Sequence, residues 1–429
     1  MIEKSDKPRI IVVGGGAAGL MAAGTAAKAG ARVLLLEKMK QPGRKLAITG
    51  KGRCNLTNSA EISDCIAHFG NNGRFLRQAF HRFFNHDLIN FFAKNGLKTV
   101  TERGGRVFPA NGKAPEVVKV LRQWLNKNGV TIRLSSPVEE LMVKDEQVVG
   151  VVAKGEKFPA TAVILATGGA SYPLTGSTGE GYRLAKSVKH NIIPPRPALV
   201  PLIFEQTSSS DKEIFRKLSG LSLRNIAVRL LINNKKIKEV FGELLFTEDG
   251  ISGPAVLTLS GDVVDALKNQ DKVCISLDLK PALDEKKLEA RLLRDLQSRG
   301  KESLDSLLRG LLPKEMVAYC LEINEINPQH QGHHVTAKER KRLRAWLKDC
   351  RLPISDHRPL AEAIITAGGV DTKEIDPKTM ASRRIKNLFF AGELLNIQAD
   401  TGGYNLQAAF STGHLAGKAA AQLAIQIKS

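Results

Sequence analysis

The chain is poor in the residues that staple, stack or span. Its five cysteines, Cys54, Cys65, Cys274, Cys320 and Cys350, are odd in number and form no C-x-x-C pair. That disfavours a disulfide framework and a zinc site, and it suits a reducing, cytoplasmic compartment. Four tyrosines and two tryptophans leave no obvious platform for stacking bases. No run is long and apolar enough to span a bilayer. The uncharged stretch from Ile10 to Ala27, preceded by Lys4, Lys7 and Arg9, imitates a signal peptide, but three consecutive glycines read it as strand, turn and helix. Internal repeats and low-complexity tracts are absent. Acidic side chains are also scarce, with 43 Asp and Glu against 64 Lys and Arg, a formal charge of +21. Such a surface can hold RNA, anionic lipid or an acidic substrate. The densest run, Lys338-Glu339-Arg340-Lys341-Arg342-Leu343-Arg344, reads first as a solvated helix face.

What is present begins at the N-terminus. Arg9-Ile10-Ile11-Val12-Val13 reads as a buried parallel strand, Gly14-Gly15-Gly16-Ala17-Ala18-Gly19 as a G-x-G-x-x-G turn, and residues 20–28 as a helix. Gly14 permits the tight turn, Gly16 lets backbone approach a pyrophosphate, and Gly19 lets helix and strand pack closely. Unpaired N–H groups at the helix start, including those of Ala17 and Ala18, attract phosphate without a lysine. A second apolar strand ends at Glu37, 18 residues after Gly19. That spacing suits a carboxylate accepting both ribose hydroxyls, with Lys38 beside it. A 2′-phosphate would face Glu37 as a second anion, so the adenosine belongs to FAD or NAD.

Two later segments repeat the strand-end-and-glycine pattern: Ala166-Thr167-Gly168-Gly169 and Ala391-Gly392-Glu393. Three such corners spread along one chain suggest a single extended cofactor, and FAD fits better than NAD. Glu393 is a candidate for the ribityl and phosphate groups. A helix starting near Gly402-Gly403-Tyr404-Asn405-Leu406 would point its N-terminus at the flavin pyrimidine end, with Gly403, Asn405 and Leu406 in contact. Arg44, Lys45, Lys51 and Arg53 gather four cations near the first turn. Val138, which opens a strand over 138–143, completes the cofactor candidates. Arg106, His357 and Tyr404 are the candidate acid–base or anchoring groups. Cys54 has no partner at short spacing and reads as a packed cysteine. His330, His333 and His334 lack a completing carboxylate or cysteine, so no metal is expected.

Composition divides the chain. Residues 1–195 mix strands and helices, and Pro194-Pro195-Arg196-Pro197 reads as a linker. Residues 196–356 form an insert, β-rich over 198–280, with Ser208-Ser209-Ser210 as an exposed loop, and helical over 284–350. Residues 357–429 return to α/β character and complete the first domain.

The sequence resembles the aminoacetone-oxidase-like (BaiN-like) family of bacterial FAD-binding proteins, which includes reductases of a bile-acid pathway. The resemblance rests on Gly43-Arg44-Lys45-Leu46-Ala47-Ile48-Thr49-Gly50-Lys51-Gly52-Arg53-Cys54-Asn55-Leu56-Thr57-Asn58, on Gly105-Arg106-Val107-Phe108-Pro109, on Gly250-Ile251-Ser252-Gly253-Pro254, and on the segments around Ala166, Gly368, Gly392 and Gly402. It implies a Rossmann-like, glutathione-reductase-type FAD domain interrupted by an insert with a small β-barrel and a helical subdomain. Glu180, Asn396 and Glu248 depart from the family pattern. The expected activity is hydride transfer between flavin N5 and a small organic substrate, with NAD(P)H docking transiently because no second nucleotide-binding unit is visible. An oxygen-using amine-type oxidase is the alternative within enzymes. A tRNA-associated flavoprotein, or a flavin-binding regulator without turnover, are alternatives of other classes.

Overall fold

The computed structural model describes residues 9–205 and 209–427; Lys4, Lys7 and Ser208 lie outside them. The chain forms two compact units, Met1–Ala198 with Leu360–Ser429, and Leu199–Pro359.

The first unit is built on a five-stranded parallel sheet in the order Leu388–Phe390, Ala162–Leu165, Arg9–Val13, Arg32–Leu36, Thr131–Arg133. Its central strands are near-continuous Val, Ile and Leu because they are buried, with helices Ala17–Lys28 and Tyr404–Gln426 and the strand Gln147–Ala153 packed on the sheet. The alanine-rich helix Ala17–Lys28 has high intrinsic propensity and no bulk to keep neighbours away. It lies close against the C-terminal helix Tyr404–Gln426, since a Cβ on Gly413 or Gly417 would overlap the carbonyl oxygen of Ala18 or Ala22. An antiparallel meander, Val138–Lys144, Gln147–Ala153 and Glu156–Pro159, turns at Asp145 and Glu146. A small sheet pairs Thr57–Asn58 and Thr99–Glu102 with Arg106–Pro109.

The proline cluster is not a linker. Ile192–Ala198 is a strand paired antiparallel with Ile365–Val370, and the register shifts between Ile193 and Arg196. Pro194 and Pro195 sit in that irregularity, where a missing N–H forfeits no ladder bond.

In the second unit, six strands close into an antiparallel barrel: Leu202–Phe204, Gly250–Ser252, Lys235–Phe246, Ser222–Ile232, Val273–Asp278 and Cys350–His357. Helices Glu285–Ser298, Leu304–Leu308, Lys314–Ile323 and Ala337–Lys348 follow, three of them capped by Asp284, Ser303 and Thr336. Leu288, Leu292 and Leu296, spaced by four, bury one face of the first of these. Ser209 and Ser210 open the helix Ser209–Leu218 rather than a loop. The basic run 338–344 is partly tied down: Arg340 and Arg344 donate to Glu289 at 2.6 and 3.1 Å.

Candidate functional site

The three glycine corners meet at the carboxyl edge of the parallel sheet. Ladder bonds continue past each strand into its turn, from Gly14 N–H to Leu36, from Ala166 N–H to Val13 and from Ala391 N–H to Leu165. Gly14 has φ +101°, and a Cβ there would lie 2.5 Å from the Ala166 carbonyl oxygen. A Cβ on Gly392 would reach 2.7 Å from that of Ala18, so the N- and C-terminal corners touch. A Cβ on Gly19 would overlap the Gly14 carbonyl. By contrast, a Cβ on Gly16, which caps the helix, would meet nothing within 4 Å. Open space stands in front of that helix start, beside unpaired N–H groups.

Glu37 closes the turn from the other side. Its carboxylate accepts from the N–H of Gly15 at 2.6 Å and of Met39 at 2.8 Å. It is buried, and desolvation raises its pKa above the ordinary carboxylate value, partly offset by those two N–H donors. Ser136 N–H donates to the Glu37 carbonyl, which brings the buried Val138 segment alongside. Lys38 pairs with Glu180 at 3.0 Å and donates to Thr178.

The four clustered cations part company. Lys45 is held at 2.8 Å by Glu393 and donates to Ser171 at 2.7 Å. Glu393 also accepts from the Thr366 N–H at 2.8 Å, so one carboxylate joins the turn after Ala162–Leu165, the strand Ile365–Val370 and the short helix Arg44–Ile48 that carries Lys45. Arg53 pairs with Glu102 and stacks over Phe108 at 4.3 Å. Arg44 and Lys51 are exposed.

Gly403 caps the C-terminal helix with φ +100°, and a Cβ there would overlap the Thr57 carbonyl oxygen. Thr57 in turn donates to Gln407 at 2.6 Å. The Asn405 side chain, in the first turn of that helix, is spent on the loop before it, exchanging hydrogen bonds with Ala399 at 2.9 Å each way. Leu406 is half-buried. Tyr404 is buried, stacks on His68 at 4.0 Å, and burial raises its pKa, which keeps the phenol protonated. Arg106 is exposed on the strand paired with Thr57–Asn58, its Nε donating to the Arg103 carbonyl at 3.2 Å. His357 falls in the second unit, where its Nδ1 meets the Arg358 carbonyl at 2.8 Å.

Buried polar atoms without a partner test whether a dinucleotide fits. Among the described residues there are eight such side-chain atoms, and four of them, Asn55 Oδ1, Thr167 Oγ1, Ser177 Oγ and the Tyr182 hydroxyl, lie beside the glycine corners. Three of the four surround the Ala166 corner: Ser177 lies 3.4 Å from a Cβ on Gly168, and Thr167 and Tyr182 flank Gly181 and Gly179. Asn55 lies 2.9 Å from a Cβ on Gly403. Orphaned groups cost free energy unless a ligand or water satisfies them, so their clustering beside the glycine corners fits a polar, extended cofactor. Ser171 and Ser177 fall in the segments around Ala166 that carry the family resemblance; Thr366 carries no motif of its own, and its hydrogen bond with Glu393 reveals it.

Among the described residues no group of three His, Cys, Asp or Glu could hold a metal, and no helix is long and apolar enough to cross a membrane.

A parallel sheet with three glycine corners at its carboxyl edge and a carboxylate closing the first turn defines a Rossmann-like flavoprotein oxidoreductase that uses FAD. Residues 8–419 match the HI0933-like protein Rossmann domain family, and the chain belongs to that family. It is similar to a 3-dehydro-bile acid delta(4,6)-reductase of Clostridium scindens, 34% identical over 96% of this chain and 99% of the relative. It is also similar to ribosomal RNA dihydrouridine synthases: 32% identical to that of Escherichia coli, over 94% of this chain and 95% of the relative, and 33% to that of Haemophilus influenzae, over 94% and 96%. In fold it is similar to a 3-ketosteroid delta1-dehydrogenase of Sterolibacterium denitrificans, with TM-score 0.52 and 13% identity over 98% of this chain and 100% of that one.

Proposed function

We propose that this flavoprotein reduces a carbon–carbon double bond conjugated to a carbonyl, and that the substrate is a uridine in RNA. A steroid 4,6-diene reductase and a dihydrouridine synthase have that chemistry in common: a hydride adds to an electrophilic carbon conjugated with the carbonyl (the β-carbon of uracil, the β- or δ-carbon of a dienone) and a proton to the neighbouring carbon of the same double bond. Bound FAD, once reduced, supplies the hydride. The protein's part is to hold the cofactor with Gly14, Gly16, Gly19, Glu37 and the Gly392 corner, and to orient the acceptor. Tyr404, kept protonated by burial, and Arg106, exposed beside Thr57–Asn58, are the proposed donor and anchor on this chain.

The location of the charge carries the RNA reading. Residues 1–198 and 360–429 hold 37 of the 64 Lys and Arg but only 20 of the 43 Asp and Glu, so +17 of the formal +21 belongs to the cofactor-binding unit. Between residues 74 and 127, eleven Lys and Arg face three Asp and Glu, and all eleven cations are exposed. A bile acid, with a single carboxylate, gains little from so extended a field, whereas a phosphate backbone with one charge per nucleotide gains much more.

The test is to incubate purified holoprotein with unmodified ribosomal RNA and NADH or NADPH under anaerobic conditions, then to digest the RNA and measure dihydrouridine by mass. Dihydrouridine at a defined position supports the proposal, and bleaching of the flavin by one of the nucleotides would support that nucleotide as donor. Absence of dihydrouridine, together with reduction of a 3-oxo-4,6-diene steroid, would overturn the RNA assignment. The 34% identity to the bile-acid reductase is what favours that second reading.

A further inference from the structure

A cavity opens on the cofactor-binding unit, away from the glycine corners. It measures about 340 Å³, and its wall includes Thr25 and Lys28 at the far end of the first helix. Nine residues of helix separate Gly16 from Thr25, about 13 Å at 1.5 Å per residue. The opposite walls come from helices Arg77–Arg82, Asn85–Lys94, Ala114–Lys127 and Tyr404–Gln426.

The lining is aromatic within and cationic at the rim. His414 stacks on Phe83 with centroids 4.5 Å apart and planes 14° from parallel. Phe91 meets Trp124 edge to face at 4.7 Å. The Trp124 ring lies on Gly24, where any Cβ would overlap it, so the absence of a side chain on the first helix is what admits the indole. Lys28, Arg82 and Lys94 are exposed and, among the described residues, make no ion pair. Asp87, the acidic residue of the wall, is engaged at 2.8 Å by the Phe84 N–H at the start of its own helix. His414 Nδ1 is buried without a partner, and burial with the nearby charge of Lys418 pushes the imidazole down to about 4, so the ring is neutral at physiological pH.

Flat rings inside and three free cations outside match one nucleotide: a base to stack and phosphates to neutralise. The volume lies at the small end of ligand pockets, which suits a single nucleotide and not a sterol with its side chain. Arg74 and Arg77, exposed and without ion pairs among the described residues, continue the cationic path from Arg82 along the surface. We propose that this cavity is a docking subsite for single-stranded RNA, in which one unpaired base enters against Phe83, Phe91 and Trp124 while its flanking phosphates lie on Lys28, Arg82 and Lys94. The proposal rests on the RNA reading above, and it concerns a nucleotide other than the one reduced.

Trp124 is a built-in reporter, because the other tryptophan, Trp346, belongs to the insert. In the Trp346→Phe holoprotein, titration with an oligouridylate of about eight nucleotides at low salt should quench Trp124 saturably. The double variant Arg82→Ala/Lys94→Ala should weaken that binding about tenfold and raise the KM for RNA by a similar factor at unchanged kcat. Photocrosslinking of a 5-bromouridine oligonucleotide to the unmutated protein, with crosslinks on residues 82–94, 124 or 414, gives an independent readout should Trp346→Phe fold poorly. Oligonucleotide bound without quenching and without crosslinks there overturns the subsite, as does unchanged affinity in the double variant. Equal affinity for free UMP overturns the RNA assignment in favour of a mononucleotide. An unchanged KM for RNA in dihydrouridine formation by Arg82→Ala/Lys94→Ala would sink the subsite while leaving the proposed function intact.

Discussion

Gly16 and Gly19 stand three residues apart in one turn, and alanine at each should fail in opposite ways. At Gly16 φ is −78° and a Cβ meets nothing within 4 Å, so the apoprotein accommodates a methyl. Replacing a favoured helix-capping residue costs about 0.5–1 kcal/mol, which for a domain of this size is a Tm drop of no more than about 3 °C. The same methyl projects into the space a pyrophosphate needs. Overpacking of about 1–3 kcal/mol, felt only in the bound state, weakens FAD roughly 10- to 100-fold. At Gly19 the methyl would overlap the Gly14 carbonyl oxygen, a backbone atom that cannot swing aside. Gly19→Ala should therefore destabilise the apoprotein at the upper end of overpacking costs, about 3 kcal/mol, less the roughly 1 kcal/mol that alanine gains in a helix. Flavin-stripped protein is melted with and without FAD, and affinity is read from quenching of FAD fluorescence. Wild-type FAD affinity in Gly16→Ala would refute the assignment of this turn to the pyrophosphate. Equal loss of apoprotein stability in both variants would refute the geometric contrast.

The Lys45–Glu393 pair should behave as a coupled unit: Lys45→Met and Glu393→Gln each cost about 1–3 kcal/mol in denaturant melts, and the double variant costs less than their sum. Strict additivity would show that the two do not interact. Burial pushes the thiols of Cys54, Cys65 and Cys320 up to about 12 and that of Cys350 well above its ordinary value, whereas Cys274 is only half-buried. A thiol reagent at pH 8 should therefore label at most one cysteine quickly in native protein and all five in denaturant. Rapid labelling of Cys54 would restore a redox role for it. His414 is held at about 4 in the fold against 6.5 when unfolded, so the unfolded chain binds the extra proton between those values and stability falls as pH drops from 6.5 towards 4. The full effect is on the order of 3 kcal/mol. His414→Phe should flatten that part of the pH–Tm curve, and an unchanged slope would count against a buried neutral ring.

Local spacing made part of the site legible and topology hid the rest. Gly14, Gly19 and Glu37 lie within one strand–helix–strand unit, so their offsets state the geometry directly. Glu393 was visible as a strand-end carboxylate, but its partner Lys45 is 348 residues away and Thr57 is 350 from Gln407, separations that no periodicity encodes. Lys45 and Arg53 looked like free cations near a pyrophosphate; each instead has a carboxylate brought to it by a distant strand. Asn405 looked like a flavin contact, yet its amide closes the loop at Ala399. Pro194 and Pro195 suggested a chain break because the bulge that tolerates them depends on a partner strand at Ile365–Val370. The overall charge was plain from composition, but its concentration on one unit was not. The basic run 338–344, conspicuous in sequence, lies in the nearly balanced insert and spends Arg340 and Arg344 on Glu289.

That division between cofactor and surface also decides how the two readings of substrate separate. The hydride chemistry is common to a conjugated steroid and a uracil, so flavin reduction kinetics cannot tell them apart. The surface can. A single-stranded substrate held by six to eight phosphate contacts to exposed cations such as Arg74, Arg77, Arg82, Lys94, Lys98 and Arg122 loses roughly 300- to 2,500-fold in affinity between 50 and 200 mM salt. A bile acid, with one carboxylate to neutralise, shows only a shallow dependence, because counterion release scales with the number of charges paired. The salt slope of KM therefore discriminates where the identity percentages, 34 against 32 and 33, do not.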